Sequence, residues 1–317
     1  MSEPPHCPIR VSTIIPVYNG AATIAAAIDS ALAQDFAGQE IIVVNDGSTD
    51  NTAEVLAAYG ERIRVIHQPN RGLSKAHNAG IAIALGKYIA FLDADDYWLA
   101  GRVSEMVRVL DSDPSVGLVF SDYLIKDPDT GEMMEPATFD GPPTLEQMLT
   151  QWNTAAVPTA TTIRRSILDQ VGGFDERINW GDDIYLWLRA REVSKFAHIA
   201  TPLAVYHKTR EPKRRYTSNQ RRTFERVLIE RYGRSARPLV SLLRDVCASF
   251  LTRLMLNQID QREPLQAAKT LVEVLQLRPS YLLRHARVSR RNLRRVLAFT
   301  NIIRTPLASA PSDRPSE

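Results

Sequence analysis

The sequence predicts an α/β fold, a mostly parallel β-sheet flanked by helices, followed by a helical C-terminal extension. Three observations carry this expectation. Over the first hundred residues, apolar runs rich in β-branched side chains alternate with helical stretches of ten or more residues, the pattern of βαβ units with both sheet faces covered. Three of those runs end in polar clusters: Tyr18-Asn19, Asp46-Gly47-Ser48 and Asp93-Ala94-Asp95-Asp96. Ligand crevices of open α/β sheets lie at the carboxyl ends of the strands, so these clusters should meet on one rim. Finally, the charge divides. Residues 1–209 hold 16 Lys and Arg against 27 Asp and Glu, while residues 210–317 hold 23 against 9. That division marks an N-terminal domain over 1–209 and a basic region over 210–317 with different partners.

Each element follows from its local pattern. "VSTIIPV" (11–17) reads as a strand and "AATIAAAIDSALAQ" (21–34) as an Ala-rich helix. "EIIVVND" (40–46) is a second strand. The helix within "STDNTAEVLAAYG" (48–60) has Asp50 or Asn51 as its cap and Gly60 as its stop. A strand at 62–68, a helix at 74–86 and a strand over "KYIAFLD" (87–93) complete the regular part. Beyond residue 100 the reading gives strands at 116–124, 159–168 and 196–207, a turn-rich loop over 127–143 and a helix over 182–193. In that helix Ile184, Trp187 and Leu188 fall three and four apart. From about residue 219 the chain reads as helical and Arg-rich, with a disordered end at "ASAPSDRPSE".

With 44% hydrophobic and 24% charged residues the composition is that of a soluble protein with a sizeable core. Cys7 and Cys247 are far apart, so neither a disulfide framework nor a zinc cluster is expected, and a reducing cytoplasm is the default. The N-terminus shows no basic-then-apolar signal, and no run reaches the roughly 18 apolar residues of a membrane span.

Three carboxylates within four residues at the end of an apolar run, Asp93, Asp95 and Asp96, require something positive nearby. An isolated D-x-D is most simply a cap or turn. "DADDY" also resembles the hhhhDxDx[TV] signature of aspartyl-nucleophile phosphatases, with Tyr97 in place of Thr or Val. A divalent cation shared between carboxylates and a diphosphate is the third reading, and it also gives the other two clusters a role.

The segments "STIIPVYNGAATIAAAIDSALAQ", "IIVVNDGSTDNT", "NRGLSKAHNAGIAIALGKYIAFLDADD" and "TTIRRSILDQVGGFDERINWGDDIYLWLR" resemble family 2 glycosyltransferases, over roughly residues 9–207. The resemblance implies the GT-A fold, a Rossmann-like sheet. It also implies inverting transfer of a sugar from a nucleoside diphosphate donor, uridine-linked by its pyrimidine-reading acid, to an acceptor hydroxyl in polysaccharide or glycoconjugate synthesis. It places Pro16, Tyr18 and Asn19 against the nucleotide base, where an aromatic ring offers a stacking surface; Tyr18 as a core residue is the alternative. Asp46, which by itself reads as a turn former, matches the acid that reads the pyrimidine ring, and Arg71 with Gly72 the segment approaching the diphosphate; Arg71 as an ordinary loop charge is the alternative. His77 stands where the family commonly has Arg. Asp93 falls near the ribose and Asp95 on the metal, Mn²⁺ or Mg²⁺. His207 matches a histidine that completes the metal's ligands in many relatives, although a lone histidine after a strand is as often structural. Asp96 reads as the cap of the next helix.

Asp183 occupies the place of the catalytic base. A carboxylate with an ordinary pKa of about 4 is ionised at neutral pH and can take the acceptor's proton. Asp182, where the family usually has Glu, reads as a helix-start acid favoured by the dipole. Arg210, Lys213, Arg214 and Arg215 form either a lid over the diphosphate or a solvated linker. Trp152 and Trp180 either stack on an acceptor sugar or are buried. In 281–299, Arg284, Arg287, Arg291 and Arg294 lie opposite Leu283, Ala286, Leu293 and Leu297. Such a basic amphipathic helix either packs on the catalytic domain or a second subunit, or lies on an anionic membrane near a lipid-linked acceptor. With few aromatics to stack bases, it is not read as binding nucleic acid. A nucleotidyltransferase is disfavoured because a GxGxR-type loop is missing; the remaining rivals are a nucleotide-sugar-binding protein without turnover and the D-x-D phosphatase, which would pass through a phospho-Asp93 intermediate. The expected location is the cytoplasm, free or at the inner membrane face.

Overall fold

The computed structural model describes residues 8–127, 130–138, 141, 157–178, 181–207 and 218–241, and beyond these residues 244, 245, 247, 248, 251, 269, 270, 272–274 and 276. The segment 281–299 lies outside them, as do Trp152, Trp180, Arg210, Lys213, Arg214 and Arg215.

The first strands are parallel because helices carry the chain back between them. β1 (Val11–Val17), β2 (Gln39–Asp46), β3 (Arg64–Gln68) and β4 (Tyr88–Phe91) are joined by α1 (Ile24–Leu32), α2 (Thr52–Ala57) and α3 (Leu73–Ile83). β1 lies between β2 and β4, both parallel to it, and β3 lies outside β2. Every residue of β1 is buried, as a sheet covered on both faces demands. Ile15 and Val17 join Ile24, Ile28, Val43 and Leu56 in one core. On the opposite face α3 packs on β1 and β2, so closely that a Cβ on Gly80 would come within 2.6 Å of Ile14 Cγ2.

The second half of the sheet departs from that order. β5 (Tyr97–Trp98) and α4 (Arg102–Ser112) lead to β6 (Val116–Lys126). β7 (Met133–Ala137) pairs antiparallel with β6, within a stretch expected to be loop. Its "MMEPA" has no alternation to announce a strand, and the pairing comes from β6 alongside. β8 (Thr161–Arg164) lies antiparallel between β4 and β6. Only four residues of the expected 159–168 strand extend; Arg165–Val171 is a helix, α5. The turn is enforced by Arg164, whose guanidinium donates to the carbonyls of Val116 and Asp113, and by Arg165, whose N–H meets the carbonyl of Lys87. α6 (Asp182–Val193) then leads into β9 (Lys195–His207), parallel to β6 and antiparallel to β5. The sheet order is β3-β2-β1-β4-β8-β6-β9-β5, with β7 on β6.

The chain divides into two units, Met1–Val227 and Leu228–Glu317. α7 (Ser218–Tyr232) contributes to both. Described residues of the second unit are helical, with Ala236, Val240, Cys247, Ala248 and Leu251 buried.

At the strand ends remote from the rim, Asp111 accepts hydrogen bonds from the Tyr88 hydroxyl, Arg10 and Lys87. These partners, the Tyr88 hydroxyl foremost, lower its pKa from 3.8 to about 2. A depressed carboxylate contributes stability above its unfolded pKa and loses it as pH falls through the folded one. Asp111→Asn is therefore expected to lower the urea midpoint at pH 6. The gap from wild type should shrink below pH 4 and close near pH 2, as equilibrium unfolding across pH would show.

Candidate active site

The turns after β1 and β2 are tied to each other. Asn19 takes a left-handed conformation, φ 52°, which Asn tolerates better than most residues. Its Oδ1 accepts from the backbone N–H of Thr49 at 2.7 Å, and its own N–H donates to Ser48 Oγ at 2.9 Å. Asp50 joins the same turns, accepting from the N–H groups of Ala21 and Thr52. It lies ahead of α2, whose cap position is Asn51. Tyr18 beside them is 52% exposed, so it is no core residue, whereas Pro16 is buried within β1.

Asp46, 4% exposed, closes β2 and holds the loop after β3. It accepts from Gln68 Nε2 at 2.7 Å, from the N–H of Arg71 at 2.9 Å and from the N–H of Gly72 at 2.8 Å. The approach requires Gly47: at φ +74°, a Cβ there would meet the Asn70 nitrogen at 2.5 Å. The Arg71 side chain is left exposed beside α3.

The acidic turn after β4 is held differently. Asp96 is 1% exposed and caps no helix, since α4 begins at Arg102. Its Oδ2 accepts from Thr159 Oγ1 at 2.6 Å and its Oδ1 from the backbone N–H of His207 at 2.8 Å. Thr159 Oγ1 in turn accepts from the N–H of Asp93 at 3.1 Å. Burial, then the charges of Asp93 and Asp95, push the Asp96 carboxyl well above the usual carboxylate range. Behind this turn Trp98 donates to the Thr159 carbonyl at 2.9 Å and lies 3.9 Å beneath the guanidinium of Arg102. Arg102 is fully buried and donates to the Thr161 carbonyl; burial lowers its pKa to about 9.

The polar clusters meet. A Cβ on Gly20, in the turn after β1, would lie 3.9 Å from the Cβ of Ala94 between Asp93 and Asp95. On the other side Tyr206 senses both acidic sets. Burial first, then Asp96, Asp93, Asp95 and Asp183, push its phenol upward. Asp183 comes from the first turn of α6, and its neighbour Asp182 accepts from Ser74 Oγ at 2.7 Å. His207 Nδ1 lies 3.9 Å from Asp96 Oδ1. His77 is buried and stacks on Phe174 at 4.3 Å, within the core behind the rim. Among the described residues, no three His, Cys, Asp or Glu side chains are arranged to hold a metal ion by themselves.

A family model described as glycosyl transferase family 2 matches residues 12–172. The chain belongs to glycosyltransferase family 2. An uncharacterized glycosyltransferase of Rickettsia prowazekii is 35% identical over 188 residues, 58% of this chain and 59% of that one. Chondroitin synthase of Pasteurella multocida is 35% identical over 192 residues, 60% of this chain and 20% of that one. The chain thus spans about three fifths of the first of these relatives and a fifth of the second. The structure of S. aureus TarS 1-349 in complex with UDP-GlcNAc has a TM-score of 0.60 at 19% identity, covering 93% of this chain and 92% of that one. At that identity the likeness shows the fold, which is GT-A.

In this family 2 chain, sequence reasoning missed Thr159, Ser74 and Tyr206. Thr159 sits in "TATT" and Ser74 in a helix start, with no local signal. Tyr206 precedes the histidine that was singled out, and strand alternation would have placed the two on opposite faces. Thr159→Val keeps the shape but leaves the Asp93 N–H and one Asp96 oxygen without this buried partner. Unpaired buried groups cost about 1–3 kcal/mol, so a loss of stability of that size is expected from urea unfolding at pH 7.

Proposed function

We propose that the protein is an inverting, metal-dependent glycosyltransferase that moves a sugar from a nucleoside diphosphate donor, a UDP-sugar, to the hydroxyl of a glycan or lipid-linked acceptor. The observation that supports this most is that Phe91, which ends β4 just ahead of the acidic turn, meets Trp187 of α6 at 6.1 Å between ring centroids, so the strand that carries the acidic turn packs on the helix that carries Asp183. The acids at the donor end and the carboxylate suited to be a base therefore share a site.

Each residue then has a task. Tyr18, exposed at the rim, stacks on the base, with Pro16 and Asn19 shaping the turn beneath it. Asp46 reads the pyrimidine edge and fixes Arg71 and Gly72, whose segment faces the diphosphate. Asp93 meets the ribose. Asp95 and His207 hold Mn²⁺ or Mg²⁺. The donor set fits such an ion: Asp93 and Asp95 offer carboxylate oxygens from one turn, and the backbone N–H of His207 is bound at 2.8 Å to Asp96 of that same turn, which keeps the imidazole's residue beside them. One or two protein carboxylates with phosphate oxygens and water are its usual ligands. When bound, it supplies Lewis-acid stabilisation of the departing diphosphate. Asp183 removes the acceptor hydroxyl's proton as that oxygen attacks the anomeric carbon on the face opposite the diphosphate, which inverts the configuration.

TarS has been solved with UDP-GlcNAc, and a uridine donor is carried to this chain as part of the proposal. No helix among the described residues is long and apolar enough to cross a membrane. A cytoplasmic enzyme reaching the inner membrane face through the 281–299 segment suits a lipid-linked acceptor, and a homodimer through the same segment is the other arrangement it allows.

Calorimetric titration of UDP, GDP, CDP and dTDP, with Mn²⁺ and then with EDTA, tests the donor site. UDP-selective binding that EDTA abolishes is the expected result; binding of none by folded protein would sink the proposal. In a screen of UDP-sugars, Asp183→Asn should lower turnover by about 10²–10⁴-fold while UDP affinity stays within about twofold of wild type. Full turnover by that variant would remove Asp183 as the base.

A further inference from the structure

We propose that Ser74 is a positioning residue that couples the diphosphate-facing loop to the helix start carrying the base. The proposal rests on the roles given above to Arg71, Gly72 and Asp183. It concerns a residue that no motif in the sequence singles out.

α3 is held at both ends of this connection. Asp46 grips the N–H groups of Arg71 and Gly72, so the residues entering α3 are fixed from β2. Two residues into the helix, Ser74 is 2% exposed. Its Oγ lies 2.7 Å from Asp182 Oδ2 and 2.9 Å from the Ile178 carbonyl. A serine hydroxyl has one proton, so the two acceptors draw on the same donor. Asp182 is 5% exposed and one peptide bond away from Asp183.

One turn further along, Asn78 clasps Phe174, donating to its carbonyl at 2.9 Å and accepting from its N–H at 2.8 Å. The His77 ring lies flat on the Phe174 ring, 11° from parallel. Residues 74, 77 and 78 are spaced i, i+3 and i+4, a single stripe on a helix. The whole stripe is committed to the segment 174–182. Asn78 and His77 secure the far end of that segment, and Ser74 secures the end that bears the base. A shift of the loop at Arg71 and Gly72 on donor binding is therefore carried through Ser74 to Asp182 and Asp183. The hydroxyl itself makes and breaks no bond in the reaction.

A hydrogen bond to a carboxylate is among the stronger ones. Removing it lets the first turn of α6 relax away from α3 without dismantling the Asn78 clasp. A base misplaced by about 1 Å costs about 10²-fold in rate, so the link matters for chemistry even where stability is little changed.

Hydrogen exchange of the full chain, with and without UDP and Mn²⁺, reads the coupling directly. In the wild type, UDP should slow exchange at residues 71–76 and also at 181–186. In Ser74→Ala, protection at 71–76 should persist while the UDP-dependent protection at 181–186 falls by about tenfold, the scale of one hydrogen bond to a charged group. Ser74→Thr, which keeps the hydroxyl, should restore it. If Ser74→Ala does not fold, the near-isosteric Ser74→Cys serves the same comparison. Undiminished protection at 181–186 in the variant that lacks the hydroxyl, with UDP bound, would overturn the coupling and leave the glycosyltransferase reading intact. Failure of the wild type to bind UDP would overturn both.

Discussion

The rim depends on one buried carboxylate. Asp96 draws together the acidic turn after β4, the Pro158–Ala160 turn ahead of β8 and the end of β9. These segments are 63 and 111 residues away along the chain. Burying a carboxyl group is costly unless it is hydrogen-bonded, and here the Thr159 hydroxyl and the His207 N–H supply the bonds. Asp93 and Asp95, on the same turn, add a repulsion that a solvated turn would avoid. Those like charges are what the proposed divalent cation would neutralise, and the geometry of their concentration is set by the one acid that faces inward.

A second carboxylate organises the opposite side. Asp46 was legible as either a turn former or a reader of the base. Its three hydrogen bonds, one to the last residue of β3 and two to the segment that follows, show that it shapes the neighbouring loop whatever else it meets. Asp182 behaves similarly: its side chain points to Ser74 on another helix, although its place at a helix start suggested a local role. In both cases an acid that sequence context assigned to its own turn works across the fold. Buried carboxylates seek donors wherever the packing presents them.

What the sequence made legible was periodic. The span of β1 and that of α6 follow from strand and helix patterning to the residue, and the parallel half of the sheet follows from alternation. Carboxyl-end placement of the three polar clusters was legible too, because the direction of each strand determines it. The second half was less so. β7 carries no alternation of its own, and in "TATTIRRSIL" the apolar residues after Arg164 look like more strand. The break there comes from guanidinium groups binding carbonyls of other elements, which no local pattern records. Asp96 was misplaced for the same reason. Its partners Thr159 and His207 are distant, and a buried acid cannot be told from a capping acid by spacing alone. Tyr206 carries no local signal: its link to the acids is through their charges, which together with burial raise its phenol.

The insertion of β8 has a consequence for how such a chain must be made. β4 has β1 on one side and β8 on the other, and β8 also supplies a neighbour to β6. While a nascent chain is shorter than about 157 residues, β4 has an open edge whose backbone groups invite pairing with other chains. The rim completes later still, when His207 brings its N–H to Asp96. On a growing chain the parallel half, built from local βαβ units, can therefore pair before the strands that complete the acidic rim have been made. Long-range pairings of this kind are the slow ones in folding. Until the final strand arrives, the cluster of acids remains in water, where its charges are least costly.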